Sequence, residues 1–164
     1  MHNDLVMRDQ LLALLRGGNA HMGFDNALES FPLAYINTKA PNVSYTPWHI
    51  LEHMRISQLD ILEFIRTPDH VSPGWPDGYW PAPDQLASEA QWETTIGQFR
   101  ADLKVLEELL TDPGTDLLGP IPHAPDYTVF REILVVADHN AYHIGEFAIL
   151  RQVMETWPAS KGAF

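Results

Sequence analysis

His139 and His143 stand four residues apart in the run Asp138-His-Asn-Ala-Tyr-His-Ile-Gly-Glu146. On an α-helix that spacing puts both side chains on one face, with Cβ atoms roughly 5–6 Å apart. Two imidazoles so placed can approach one metal ion at about 2 Å each. Two ligands rarely suffice, but a second pair with the same spacing, His49 and His53, occurs in Trp48-His-Ile-Leu-Glu-His-Met-Arg55. A third nitrogen can therefore come from another helix, and a metal site is the leading expectation. The chain has no cysteine, so thiolate-rich zinc sites and disulfides are excluded, and histidine with carboxylate must supply any ligands. A single H-x-x-x-H pair is explained as readily by surface histidines hydrogen-bonded to carboxylates; the second pair tips the reading toward metal.

The elements that must position these residues read as helices. Residues 4–17 carry apolar Leu5, Leu11, Leu12 and Leu15, with Asn3 as a candidate cap and Gly17-Gly18 as a stop. A shorter helix is expected over Asn19–Phe31, ended by Pro32. Thr46-Pro47 starts a long helix: threonine can cap free N–H groups, and proline fits the first turn without losing a hydrogen bond. It should run to about Arg66 and bury Ile50, Leu51, Met54, Ile61, Leu62 and Ile65. Thr67 to Pro83 holds five prolines with Trp75, Tyr79 and Trp80, and reads as an ordered loop that wraps the body and covers a site. A helix over about Ser88–Leu110 carries Trp92, Ile96, Phe99, Leu103, Leu106 and Leu110 at helical spacing. A proline-rich loop follows to Pro125, and Thr128 caps a last helix from Val129 to about Met154. Strand-like alternation is hard to find, so an all-α, single-domain four-helix bundle over residues 1–164 is expected, with the short N-terminal piece as an addition.

Composition narrows the partners. Ten Lys and Arg against 22 Asp and Glu give a formal net charge of −12. Nucleic-acid binding needs a basic face to neutralise phosphates, so it is disfavoured. No stretch approaches the 18 or so consecutive apolar residues of a membrane helix, and no signal peptide is visible, so a cytoplasmic protein is expected.

Trp48-His-Ile-Leu-Glu-His53 in an early helix and Asp138-His139-x-x-x-His143-x-Gly-Glu146 in the last resemble the DinB/YfiT-like superfamily. The likeness extends to Asn19-Ala-His21, Leu51 to Phe64, Trp75-Pro-Asp-Gly-Tyr-Trp-Pro81 and Arg131-Glu132. The resemblance implies a four-helix bundle, commonly dimeric, in which three histidines hold a divalent metal such as zinc or nickel. One ligand comes from the second bundle helix and two from the fourth. Here they would be His53, five residues after a tryptophan as in the family pattern, with His139 and His143. The superfamily contains thiol-cofactor transferases and isomerases beside many members without known activity. The function expected is thus a metal-dependent enzyme acting on a small substrate, either an S-transferase using a low-molecular-weight thiol or a hydrolase. The alternative is a non-catalytic metal- or ligand-binding stress-response protein, its metal closed off by a fourth ligand from His49 or His21.

Other residues join as candidates around that set. Glu146, three beyond His143, and Asp60, seven beyond His53, could each accept the second N–H of a ligand imidazole. Glu146 is also a candidate general base, and Tyr142, on the face of His139, a candidate for substrate contact. Glu52 and Asp138 each precede an expected ligand and point away from it by roughly 100°. Trp48, Trp75, Tyr79, Trp80 and Tyr142 are candidate pocket walls, whereas Trp92 and Phe99 read as core. His70 and His123 fall in loops with nothing to pair them.

Overall fold

The computed structural model describes residues 2–158. Four long helices make the body: α1 (His2–Arg16), α3 (Pro47–Arg66), α4 (Glu89–Thr111) and α5 (Val129–Val153), with a short α2 (Phe24–Leu28) between the first two. Helices α1 and α3 each pack against both α4 and α5, so the bundle is square in section, with α1 and α3 on one diagonal. That arrangement sets the middle of α3 against the middle of α5.

Local chemistry fixes the long helices. Thr46 accepts from the His49 N–H, with Pro47 in the first turn; Ser88 accepts from Gln91 and Thr128 from Arg131. Each cap satisfies a backbone donor that the first turn leaves free, and such caps contribute about 1 kcal/mol. At the other end of α1, Gly17 (φ +69°) and Gly18 (φ +84°) take the left-handed conformation that glycine reaches without strain.

Two apolar clusters fill the bundle. Phe24, Phe31, Trp48, Trp92, Phe99 and Phe147 anchor one, and Leu11, Leu62, Leu106, Leu110 and Ile133 the other. Phe99 and Phe147 are each 1% exposed, a burial that contributes roughly 1.5–3 kcal/mol per side chain. Two arginines tie ends together. Arg8 donates to the carbonyls of Leu110, Asp112 and Thr115, satisfying acceptors at the C-terminus of α4. Arg151, fully buried, donates to the carbonyls of Ala27, Glu29 and Thr156 and lies 3.9 Å from the Trp157 ring centroid.

Three expectations need correction. The helix expected over Asn19–Phe31 shrinks to Phe24–Leu28, because Asn19 turns back to the Ala13 carbonyl and Ser30 takes φ +54°. Asn3 lies inside α1 rather than capping it. The segment read as loop up to Pro125 contains an antiparallel ribbon, β1 (Pro120–Ile121) with β2 (Ala124–Thr128), which its prolines concealed. Buried Ile121 seats this ribbon on the second cluster.

Candidate metal centre

The bundle brings His53 from α3 together with His139 and His143 from α5; one ligating atom from each lies within 4.8 Å of the others. His53 and His143 are buried, and His139 is half-buried at the edge of a cleft. Their Nε2 atoms converge: His53 Nε2 is 3.1 Å from His143 Nε2 and 3.1 Å from His139 Nε2.

The surroundings decide where the protons lie. His53 Nδ1 is 2.9 Å from the Tyr79 carbonyl oxygen, which can only accept, so the N–H sits on Nδ1. His143 Nδ1 is 2.7 Å from Glu146 Oε2 and donates to that carboxylate for the same reason. In both neutral rings Nε2 is then a bare lone pair, and the two lone pairs face each other. Such an approach is repulsive unless a cation or a proton sits between them. A proton is disfavoured by burial: desolvation, and then the repulsion that a protonated His143 or His53 would exert, push His139 down to about 4. Desolvation also lowers His53, against the opposing pull of its bond to Tyr79. A divalent ion fits better, since nitrogens about 2.0–2.1 Å from a tetrahedral ion lie roughly 3.3 Å apart.

Acceptors behind the rings hold this geometry. Glu146 takes His143 on one oxygen and the Tyr45 hydroxyl on the other. Burial pulls the Glu146 carboxyl up, but those two hydrogen bonds, with His143 and His53 nearby, hold it below the usual carboxylate range. Burial, then the bond to Glu146, drives the Tyr45 phenol above its ordinary range. On the other side Trp80 stacks on His53, with centroids 3.9 Å apart and planes 5° from parallel. The loop carrying Trp80 and Tyr79 is clipped to α3 by Asp60, which accepts from His70 Nε2 at 2.7 Å and the Tyr79 hydroxyl at 2.6 Å. Asp60 thus reaches His53 through Tyr79 rather than directly, and His70 has a partner after all. His123 likewise bonds the Phe64 carbonyl.

The remaining candidates lie elsewhere. His49 is 2% exposed and engaged on both nitrogens: Nδ1 accepts from the Thr46 N–H at 3.4 Å, and Nε2 donates to the Gln85 carbonyl at 2.9 Å. His21 turns to the Met22 carbonyl. Neither is among the converging ligands. Trp48 is a core residue whose Nε1 donates to Thr95, and it does not line the cleft at the histidines. Glu52 pairs with Arg55 at 2.6 Å and accepts from Thr95. Trp75, Tyr79, Trp80 and Tyr142 do line a cleft of about 500 Å³ that ends on the three histidines, with Ser57, Asp60 and Ile61. Tyr142 is 69% exposed and meets His143 edge to face at 4.9 Å. Sequence reasoning missed Tyr45 and Ser57. Ser57, one turn beyond His53, had a spacing signal; Tyr45, 101 residues from Glu146, had none.

Among the described residues no helix is long and apolar enough to cross a membrane. No curated protein and no solved structure matches the chain. Residues 7–147 match the DinB superfamily, a span that includes all three converging histidines and Glu146. A match over most of the chain, on a helical bundle of this form, establishes that the protein belongs to the DinB superfamily.

Proposed function

We propose that His53, His139 and His143 hold one divalent metal ion, zinc or nickel, and that the protein is an enzyme acting on a small substrate in the adjoining cleft. The observation that carries this reading is the pair of Nδ1 anchors at Tyr79 and Glu146, which turn two Nε2 lone pairs toward each other at 3.1 Å. Imidazole ligands alone suit zinc, nickel, copper and iron; zinc and nickel are chosen here because the family resemblance of the histidine motifs implies them. A bound divalent ion would supply a Lewis acid that acidifies a thiol or a water. The chain's own residues do the rest. Glu146 and the Tyr79 carbonyl keep the imidazoles in one tautomer and orientation, and Trp80 shields one face of His53 from water. Glu146 is already committed to His143 and Tyr45, so it acts by orienting its histidine and not as a free general base.

Transfer of a low-molecular-weight thiol is the first reaction class and hydrolysis the second. Any sulfur nucleophile comes from outside, since the chain has no cysteine. A non-catalytic structural site would need a fourth protein ligand, and both candidates, His49 and His21, are bonded elsewhere. Homodimerisation belongs to the same proposal and rests on the family alone. Cobalt-reconstituted protein titrated with 2-mercaptoethanol tests the reaction class. A new thiolate charge-transfer band supports transfer; an unchanged spectrum at saturating thiol removes transfer and leaves hydrolysis.

A further inference from the structure

The cleft in front of the histidines has a chemical character of its own. Its walls are mainly aromatic: Trp75, Tyr79 and Trp80 on the loop side, Tyr142 on α5. Trp75 is 78% exposed and Tyr142 69%, so two large rings stand in solvent at the mouth. Two exposed rings on the lining of one cleft offer apolar surface that a bound ligand can cover. Trp75 is braced against Tyr79, with centroids 5.5 Å apart, and Tyr79 is fixed by its hydroxyl bond to Asp60. The loop ring is therefore anchored to the helical frame.

Charge adds a second constraint. Among the described residues no lysine or arginine lines the cleft, and Asp60 is its one acidic wall. Both Asp60 oxygens already accept hydrogen bonds, so it acts through its negative field and not as a free acceptor. The whole chain carries a formal charge of −12. Away from the ion proposed at the three histidines, an anionic group would find no counter-charge on the described cleft walls and would enter against the field. Aromatic faces carry a negative quadrupole and favour apolar rings or cations.

We infer that this site selects neutral or cationic ligands with a planar apolar group, which lies against Trp75 and Tyr142 while the ligand's donor atom points toward the three histidines. The inference rests on the proposed metal site for the donor end only; the selection by ring and charge belongs to the cleft walls. Acidic thiols such as glutathione are poor ligands on this account.

Three probes of one shape separate the possibilities: phenylmethanethiol and its para-aminomethyl and para-carboxylate analogues. Their binding is measured by calorimetry on zinc-loaded and on metal-free full-length protein, wild type and Trp75→Ala. The neutral and cationic probes should bind the zinc form roughly tenfold or more tightly than the carboxylate. Trp75→Ala should weaken those two by roughly fivefold to tenfold and leave the carboxylate unchanged. Trp75 is exposed, so its removal leaves the fold intact, and Tyr142→Ala provides a second variant on the opposite wall. The same order in metal-free protein, at lower affinity, supports the inference even if the metal assignment fails. Equal binding of all three probes, tighter binding of the carboxylate, or no binding of any probe overturns it, whatever the metal content.

Discussion

His49 and His53 occupy successive turns of α3 and are almost equally buried, at 2% and 3% exposed, yet they end in opposite chemical states. The His49 turn is closed: the ring accepts from a backbone N–H on one side and donates to a backbone carbonyl on the other. The His53 turn is open: one nitrogen is anchored on Tyr79, and the other faces two more imidazole nitrogens. The first completes a helix cap and pins the chain at Gln85; the second has ligating capacity that the protein itself does not consume. Burial alone therefore does not mark a functional histidine. What marks it is a donor set left unsatisfied by the fold and held in place by partners behind it.

Breaking the open turn should give the largest effect. His53→Ala removes one ligand of three, so zinc affinity, read by competition with a chromophoric chelator, should fall more than about 100-fold while helical content by circular dichroism stays near wild type. Next comes the acceptor behind a ligand. Glu146→Gln keeps the shape but loses the charge that holds the His143 tautomer, and zinc affinity should drop roughly 10- to 100-fold with little change in melting temperature. The closed turn should respond the other way round. His49→Ala should leave the metal stoichiometry intact but cost about 1–3 kcal/mol in urea unfolding, because the Thr46 N–H and Gln85 carbonyl lose their buried partner. Equal metal loss in His49→Ala and His53→Ala would erase the distinction between the turns.

A titrating group outside both turns gives the smallest effect and sharpens the contrast. Asp102 on α4 has its carboxyl raised by burial, against the opposing pull of Arg55 and Arg66, with Glu63 adding to the rise. The native chain then binds more protons there than the unfolded chain, so stability is lost as pH climbs through the carboxylate range toward neutrality. Asp102→Asn removes that loss. Its melting temperature at pH 7 should exceed wild type by at most roughly 2–4 °C, with the gap closing toward pH 4 and metal content unchanged.

The frame was legible because its signals are local. Thr46-Pro47, Ser88 and Thr128 each cap the helix expected to begin there, and the apolar spacing of α4 buries Trp92, Ile96 and Phe99. The convergence of His53 with His139 and His143 was legible only in part: spacing offered two pairs, and the family likeness chose among them. Spacing put His49 behind His53, since it lies in the first turn just after Pro47, but the partners that separate them, Gln85 and Tyr79, are brought in from the loop by tertiary packing. Tyr45 was illegible for the same reason, since it meets Glu146 only when the chain segment before α3 lies against α5. The ribbon at β1 and β2 was hidden by prolines tolerated in a two-stranded element exposed at its edges. Asp60 was expected to touch His53 from helical spacing, but the loop came between them through Tyr79.

The most direct test of the central claim is elemental analysis of the untagged protein, purified at neutral pH without chelator, beside His53→Ala and His143→Ala. The account predicts near one equivalent of a single divalent metal in the wild type and its loss in both folded variants. A wild type that takes up no metal even after reconstitution, or variants that keep the full equivalent, would contradict it.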